Sequence, residues 1–158
     1  MDQSCEDSCF VKIDFMKAFD NVHHKYFEKL LECMKFPCKF IRCFLSLYKN
    51  CTSVLIINGM VSKKIRIKSG FRQGDPLSKD LFNLGLNPLI KTLNNSKDIE
   101  KYKTMSNQSF LTLAFVDDLN LLIRFICCLV NALKIFAKFK IISGFTINLE
   151  KNTRLFLQ

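Results

Sequence analysis

The spacing of apolar residues changes several times along this chain, and each change marks an element. Residues 10–14 alternate in strand fashion and end on Asp14. From Val22 the period lengthens. Val22, Tyr26, Phe27, Leu30, Leu31 and Met34 recur at helical spacing, with His23, Lys25, Lys29 and Glu32 facing outward. A helix is therefore expected from a cap at Asn21 to about residue 36. Pro37 suits the first turn of a second helix, whose stripe is Phe40, Ile41, Phe44, Leu45 and Tyr48. The period then shortens. Residues 52–57 and 61–67 read as strands joined at Asn58-Gly59, a strong hairpin signal.

A helix bearing Leu81, Phe82, Leu86, Leu89 and Ile90 follows Ser78, weakened or kinked at Gly85 and Pro88. Residues 94–108 read as a polar loop. Residues 110–116 and 119–123 flank Asp117-Asp118 as a hairpin with the acids at its turn. Residues 125–142 look helical, Gly144 stops that helix, and two short strands are expected around residues 148–151. This order predicts one α+β domain with a mainly antiparallel sheet.

Composition narrows the picture. Nearly half of the 158 residues are apolar, so a packed core is expected rather than disorder. The net charge of +10 favours a polyanionic partner. Lys63, Lys64, Arg66, Lys68 and Arg72 crowd one window, and Lys134, Lys138, Lys140, Lys151 and Arg154 another. The 8 cysteines show no zinc spacing and read as reduced thiols, and the two histidines look surface-like on a helix. Residues 1–9 are polar and acidic, unlike a secretory leader. The greasiest stretch, residues 119–133, is broken by Arg124 and two Asn and falls short of a membrane span. The expectation is an intracellular protein, of cytoplasm or nucleus, with no membrane contact.

Two acidic motifs change the picture most. Ile13-Asp14-Phe15-Met16-Lys17-Ala18-Phe19-Asp20 and Phe115-Val116-Asp117-Asp118 each set carboxylates in or at the end of an apolar strand-like run. Charges there are costly without a counter-charge, and a divalent cation is the usual partner. On a basic chain, convergent carboxylates point to metal-dependent phosphoryl transfer on a nucleic acid. Each motif alone has a plainer reading: Asp14 as a helix cap, Asp117 and Asp118 as turn residues, Phe19 as a core aromatic.

Between the two lies Arg72-Gln73-Gly74-Asp75-Pro76-Leu77-Ser78, and after them Gly144-Phe145-Thr146-Ile147-Asn148-Leu149-Glu150-Lys151. In order and separation these segments resemble motifs A, B, C and D of the reverse transcriptase palm, specifically of LINE-type non-LTR retrotransposons. The likeness runs over residues 10–156, with Phe115 where many relatives have Tyr. It implies a polymerase palm, an RRM/ferredoxin-like antiparallel sheet with packed helices, over residues 1–158. It also implies RNA-directed DNA polymerase activity, with Asp14, Asp117 and Asp118 holding two Mg²⁺ ions, Mn²⁺ being a possible substitute.

Further roles follow from the resemblance. Lys151 would protonate the leaving pyrophosphate. Phe15, Phe19, Arg72, Gln73 and Gly74 would contact nucleotide or template, Phe19 as the steric gate against a 2′ hydroxyl. Asp20 is expected to start the following helix. The implied partners are an RNA template, a DNA primer, a dNTP and other segments of a longer retrotransposon polyprotein. Fingers before motif A and a thumb after motif D are largely missing from the sequence, so a palm fragment with little activity of its own is expected. Two other readings stand beside it: an inactive palm remnant that binds nucleic acid through its basic face, and an RRM-like RNA-binding module, which would show exposed aromatics on its central strands.

Overall fold

The computed structural model describes residues 8–49, 51–72, 74–103, 109–115, 118–148 and 153–157. In chain order the elements are β1 (Ser8–Asp14), α1 (His24–Cys33), α2 (Cys38–Tyr48), β2 (Thr52–Ser53), β3 (Ile56–Ile57), β4 (Met60–Val61), β5 (Ile65–Arg66) and α3 (Pro76–Asn95). They continue with β6 (Tyr102–Lys103), β7 (Ser109–Phe110), β8 (Thr112–Phe115), β9 (Asp118–Ile123), α4 (Ile126–Ser143) and β10 (Thr153–Leu157). The main sheet has the order β10-β1-β9-β8, antiparallel throughout. The first strand of the chain is thus central, between one partner from the hairpin and another from the last residues.

Alternation divides this sheet into two faces. Cys9, Val11 and Ile13 of β1 and Leu119, Leu121 and Ile123 of β9 are buried on one face. Lys12, Asp14, Asp118, Asn120 and Leu122 lie on the other, all at least partly exposed. Helices α3 and α4 pack against each other and against β8 and β9. Leu81, Phe82, Leu86, Leu89 and Leu93 of α3 join Leu129, Ala132, Phe136 and Phe139 of α4 in the same core as the sheet. Each such Leu or Phe contributes about 1.5–3 kcal/mol by leaving water. Helix α1 packs on α4, and α2 packs on α1.

Several boundaries differ from the sequence reading, each for a local reason. Helix α1 begins at His24, and His23, not Asn21, is its cap residue. The Asn21 amide instead donates to the Met16 carbonyl at 3.0 Å, closing the turn that contains Asp20. Asp20 therefore sits in that turn and not at the helix start. Pro37 is the N-cap of α2, and Phe40 leaves the buried stripe to stack on Phe36, ring centroids 5.1 Å apart.

Helix α3 starts two residues before Ser78, because the Asp75 carboxylate accepts from the Leu77 N–H at 3.0 Å and Pro76 occupies the first turn. It runs through Pro88 without ending and extends to Asn95, so the expected loop from residue 94 begins as helix. That stretch also contributes β6, paired with β7, and the buried Ile99. The residue 52–67 region is two short ladders, β2 with β5 and β3 with β4, all exposed. Asn58 and Gly59 take positive φ of 50° and 81° at the tip, as the Asn-Gly hairpin signal requires. Two short strands were expected around residues 148–151, of which 149–151 lie outside the described residues; beside them Ile147 makes a bridge to Phe15, and β10 follows.

Candidate active site

The chain carries Asp14 to the last position of β1 and Asp118 to the first of β9, and the β1–β9 register places these two residues directly opposite each other. Opposed residues of an antiparallel pair share a face, with Cβ atoms about 4.5–5.5 Å apart. Both acids therefore project from the open face, at one end of the sheet. The same face carries Lys12, whose Nζ lies 2.9 Å from Asp118 Oδ1. Lys12 is paired in register with Asn120, so its reach to Asp118 is the diagonal across the strands. Like charges placed directly opposite destabilise a sheet, and the diagonal ammonium offsets part of that repulsion. At side-chain exposures of 46% and 45% the ion pair is worth at most about 1 kcal/mol.

The donor set fits a hard divalent cation. Carboxylate oxygens are the ligands such ions select, and a cationic group already stands against one of them. Among the described residues no third His, Cys, Asp or Glu completes a cluster with this pair. Asp117, the third expected ligand, lies outside the described residues, as do Gln73 and Lys151.

The turn after Asp14 links the acids to the second motif. Phe15 is buried, its ring within 6.2 Å of Phe82 and 5.8 Å of Phe145. Its side chain belongs to the core, so only its backbone is available to a nucleotide. Lys17 adopts a left-handed φ of 47°, an uncommon conformation for a side chain of that size. Phe19 is half-buried against Phe82, 5.0 Å between centroids. It lines a cavity of about 340 Å³ with Arg72, Gly74, Asp75, Ser78 and Lys79. Motif A and motif B residues thus share one pocket wall.

Backbone contacts hold that wall together. Phe71 N–H donates to the Phe19 carbonyl at 2.6 Å, Gly70 N–H to Val22 at 2.8 Å, and the Ser69 hydroxyl to Asp20 at 3.0 Å. Gly70 has φ +86°, and a Cβ there would lie 2.6 Å from the Asp20 oxygen. Gly74 has φ +87°, and no atom of the described residues lies within 4 Å of its would-be Cβ, so within the domain its glycine answers to conformation. His24 is half-buried, and its ring Nε2 donates to the Gly70 carbonyl at 2.8 Å. It is a positioning contact, not the surface residue that the sequence suggested.

Arg72 is exposed and donates to the Leu47 carbonyl at 3.1 Å and to the Cys51 sulfur at 3.0 Å. The bond to Cys51 pushes its pKa up. Tyr48 donates to Asp75 Oδ2 at 3.2 Å. Burial pushes the Tyr48 phenol up, its contact with Ser78 pulls it back, and the Asp75 charge adds to the rise.

On the far side of Asp14, residues after α4 continue the sheet. Gly144, φ 83°, turns the chain back, Met16 N–H donates to Thr146 at 2.7 Å, and Asn148 N–H donates to the Asp14 carbonyl at 2.8 Å. Lys12, Gly70 and Asp75 escaped the sequence reading as site residues. The strand alternation that placed Asp14 outward could have found Lys12, two positions earlier; nothing comparable marks Gly70.

Known proteins resemble this chain in sequence and in fold. Residues 1–156 match the family described as reverse transcriptase (RNA-dependent DNA polymerase). Two Retrovirus-related Pol polyproteins from type-1 retrotransposable element R2 of Popillia japonica are similar. One is 30% identical over 89% of this chain and 23% of its own length, the other 32% identical over 92% and 20%. The Pol polyprotein from type-2 retrotransposable element R2DM of Drosophila melanogaster is 31% identical over 71% of the chain. The chain thus spans about a fifth to a quarter of the first two relatives. In fold it is similar to telomerase from Candida tropicalis in complex with a TWJ fragment of telomeric RNA, with TM-score 0.69 and 15% identity over 96% of this chain and 26% of that one. It also resembles telomerase from Candida albicans, TM-score 0.69. Among the described residues no helix is long and apolar enough to cross a membrane.

The chain belongs to the reverse transcriptase family, with non-LTR retrotransposon Pol polyproteins among its relatives.

Proposed function

We propose that this member of the reverse transcriptase family is the palm of an RNA-directed DNA polymerase, residues 1–158 carrying motifs A to D, that adds a dNTP to the 3′ hydroxyl of a DNA primer on an RNA template. The observation that carries the reading is the opposition of Asp14 and Asp118 on the open face of the central sheet. In this reading Asp14, Asp117 and Asp118 hold two Mg²⁺ ions, or Mn²⁺ in their place. When bound, such ions lower the pKa of the attacking hydroxyl and stabilise the leaving pyrophosphate.

The chain's own side chains do the rest. Phe19, packed against Phe82 and lining a cavity with Arg72 and Gly74, would wall the sugar pocket and exclude a 2′ oxygen by its bulk. Arg72 offers charge and Gln73 both donor and acceptor to the nucleotide or template. Lys151 delivers a proton to pyrophosphate. The exposed Lys63, Lys64, Arg66 and Lys68 supply phosphate contacts whose strength falls with salt. The relatives are several times longer, so the polymerase as a whole includes segments beyond these residues.

Primer extension tests the reading. Fused to the flanking segments of an R2 Pol polyprotein, the palm is expected to extend a DNA primer on RNA with Mg²⁺, and Asp117→Asn to abolish extension. A fusion that folds and binds an RNA–DNA hybrid but extends nothing would instead make the chain a nucleic-acid-binding remnant.

A further inference from the structure

Among the described residues of the open face, Lys12 stands against one of the acids, and the sequence motifs give it no task. We propose that Lys12 is the resident counter-cation of the acidic site: its ammonium occupies the Asp118 carboxylate before a divalent ion arrives and yields it on loading. The inference rests on the metal-binding reading above.

Four observations carry it. Period-2 alternation sets Lys12, Asp14, Asp118 and Asn120 on one face. The Lys12 Nζ to Asp118 Oδ1 distance of 2.9 Å is that of a charge-assisted hydrogen bond. The register opposes Asp14 and Asp118, which sets two like charges side by side. Both partners are nearly half exposed, so the ammonium can leave into water without a desolvated intermediate.

The two cations exclude each other. Magnesium binds a carboxylate oxygen at about 2.0–2.1 Å, which would set its double charge within a few ångströms of an ammonium hydrogen-bonded to the same group. Lysine suits the exchange. Its charge rides on a flexible four-carbon stem and makes single-point contacts, so it can swing from Asp118 without breaking a bidentate fork. Lys12 is accordingly a positioning residue that acts through Asp118. It trades affinity for order: the carboxylate is held in place when no metal is present, and every metal that binds there must displace a competitor.

The test is direct binding of Mn²⁺ to the 158-residue chain, followed by electron paramagnetic resonance of the free ion at fixed ionic strength. Lys12→Met and Lys12→Gln are expected to tighten Mn²⁺ binding about 3- to 10-fold, the gain from removing an exposed ion pair and a nearby positive charge. Lys12→Arg should bind no more tightly than the wild type, and more weakly where its fork grips Asp118. In an Asp118→Asn background the gain from Lys12→Met should be smaller than in the wild type, because the competitor has lost its Asp118 contact. Unchanged or weaker binding in both Lys12→Met and Lys12→Gln overturns the inference while leaving the metal reading intact. An equal gain in the Asp118→Asn background also overturns it, by making the effect one of net charge. A wild-type chain that binds no Mn²⁺, in which Lys12→Met and Lys12→Gln bind none either, overturns the metal reading and the inference together.

Discussion

Asp14 and Asp118 face each other across β1 and β9, from the ends of strands more than a hundred residues apart in sequence. Their opposition is a standing electrostatic cost that a divalent ion would remove. Melting is therefore expected to depend on metal. At a Mg²⁺ or Mn²⁺ concentration ten times the dissociation constant, linkage gives about 1.4 kcal/mol, or a rise of roughly 4 °C for a domain of this size. Asp14→Asn should lose most of that rise. The check is a melt in metal against a melt in chelator at matched ionic strength, and an equal metal response in both proteins would remove Asp14 from the ligand set.

Gly85 lies in the middle of α3, where glycine weakens a helix by roughly 1 kcal/mol relative to alanine. Propensity alone says that Gly85→Ala stabilises. Packing says the opposite, because the new methyl carbon would lie 2.7 Å from Phe27 Cε2 and 3.3 Å from the Phe145 ring. Overpacking of a filled core costs about 1–3 kcal/mol. A net loss of about 1 kcal/mol in urea unfolding is expected, and a gain would show that Phe27 moves aside freely.

Gly70 and Gly74 have nearly the same φ and different surroundings. Alanine at position 74 meets only the conformational cost, on the order of 1 kcal/mol. Alanine at position 70 also meets the Asp20 and Phe19 backbone and should cost at least about 2 kcal/mol more. Chemical denaturation of the two variants side by side measures the difference. Equal losses would mean that the residue 69–71 segment does not dock on the Asp14 turn as described.

In the fused polymerase, Phe19→Val should keep extension with dNTPs and raise ribonucleotide use by roughly tenfold or more, since a single well-placed steric contact is worth about 1–3 kcal/mol. Competition between rNTP and dNTP in one reaction reads this ratio. Unchanged selectivity would leave Phe19 as a partner of Phe82 and nothing else.

Two tyrosines make stability fall at high pH. Burial raises the Tyr26 phenol, whose hydroxyl donates to the Gly85 carbonyl at 2.7 Å, and burial also raises Tyr48. A folded-state pKa above the unfolded value near about 10 means that the stabilisation is complete below that pH and declines as pH rises beyond it. Melting temperature should drop progressively as pH rises above about 10, and Tyr26→Phe should flatten the drop. A flat profile in the wild type would contradict the burial of both groups.

Much of this architecture is legible in sequence because long elements carry redundant signals. The stripe of α1, the Asn58-Gly59 turn and the stop at Gly144 each follow from local rules. Asn21 misleads because a short amide caps a turn as readily as a helix. Pro88 sits inside its helix because buried Leu86, Leu89 and Leu93 on either side outweigh one missing hydrogen bond. In the site, the acids announce themselves through motif spacing, whereas Lys12 and Gly70 matter through strand register and a contact some fifty residues away, which no local window contains.

The place of β1 in the sheet has a consequence for biosynthesis. Its six-residue ladder with β9 and its five-residue ladder with β10 both wait for residues made far later on the ribosome. Until then Val11 and Ile13 have no sheet to complete, and Asp14 has no opposite number. Non-local pairing of this kind is slow and leaves apolar edges open in the nascent chain. The end of the sheet where Asp14 meets Asp118 is therefore assembled late, so a ribosome that stalls before residue 118 releases Asp14 and helices α1 to α3 without the strand that stands opposite that acid.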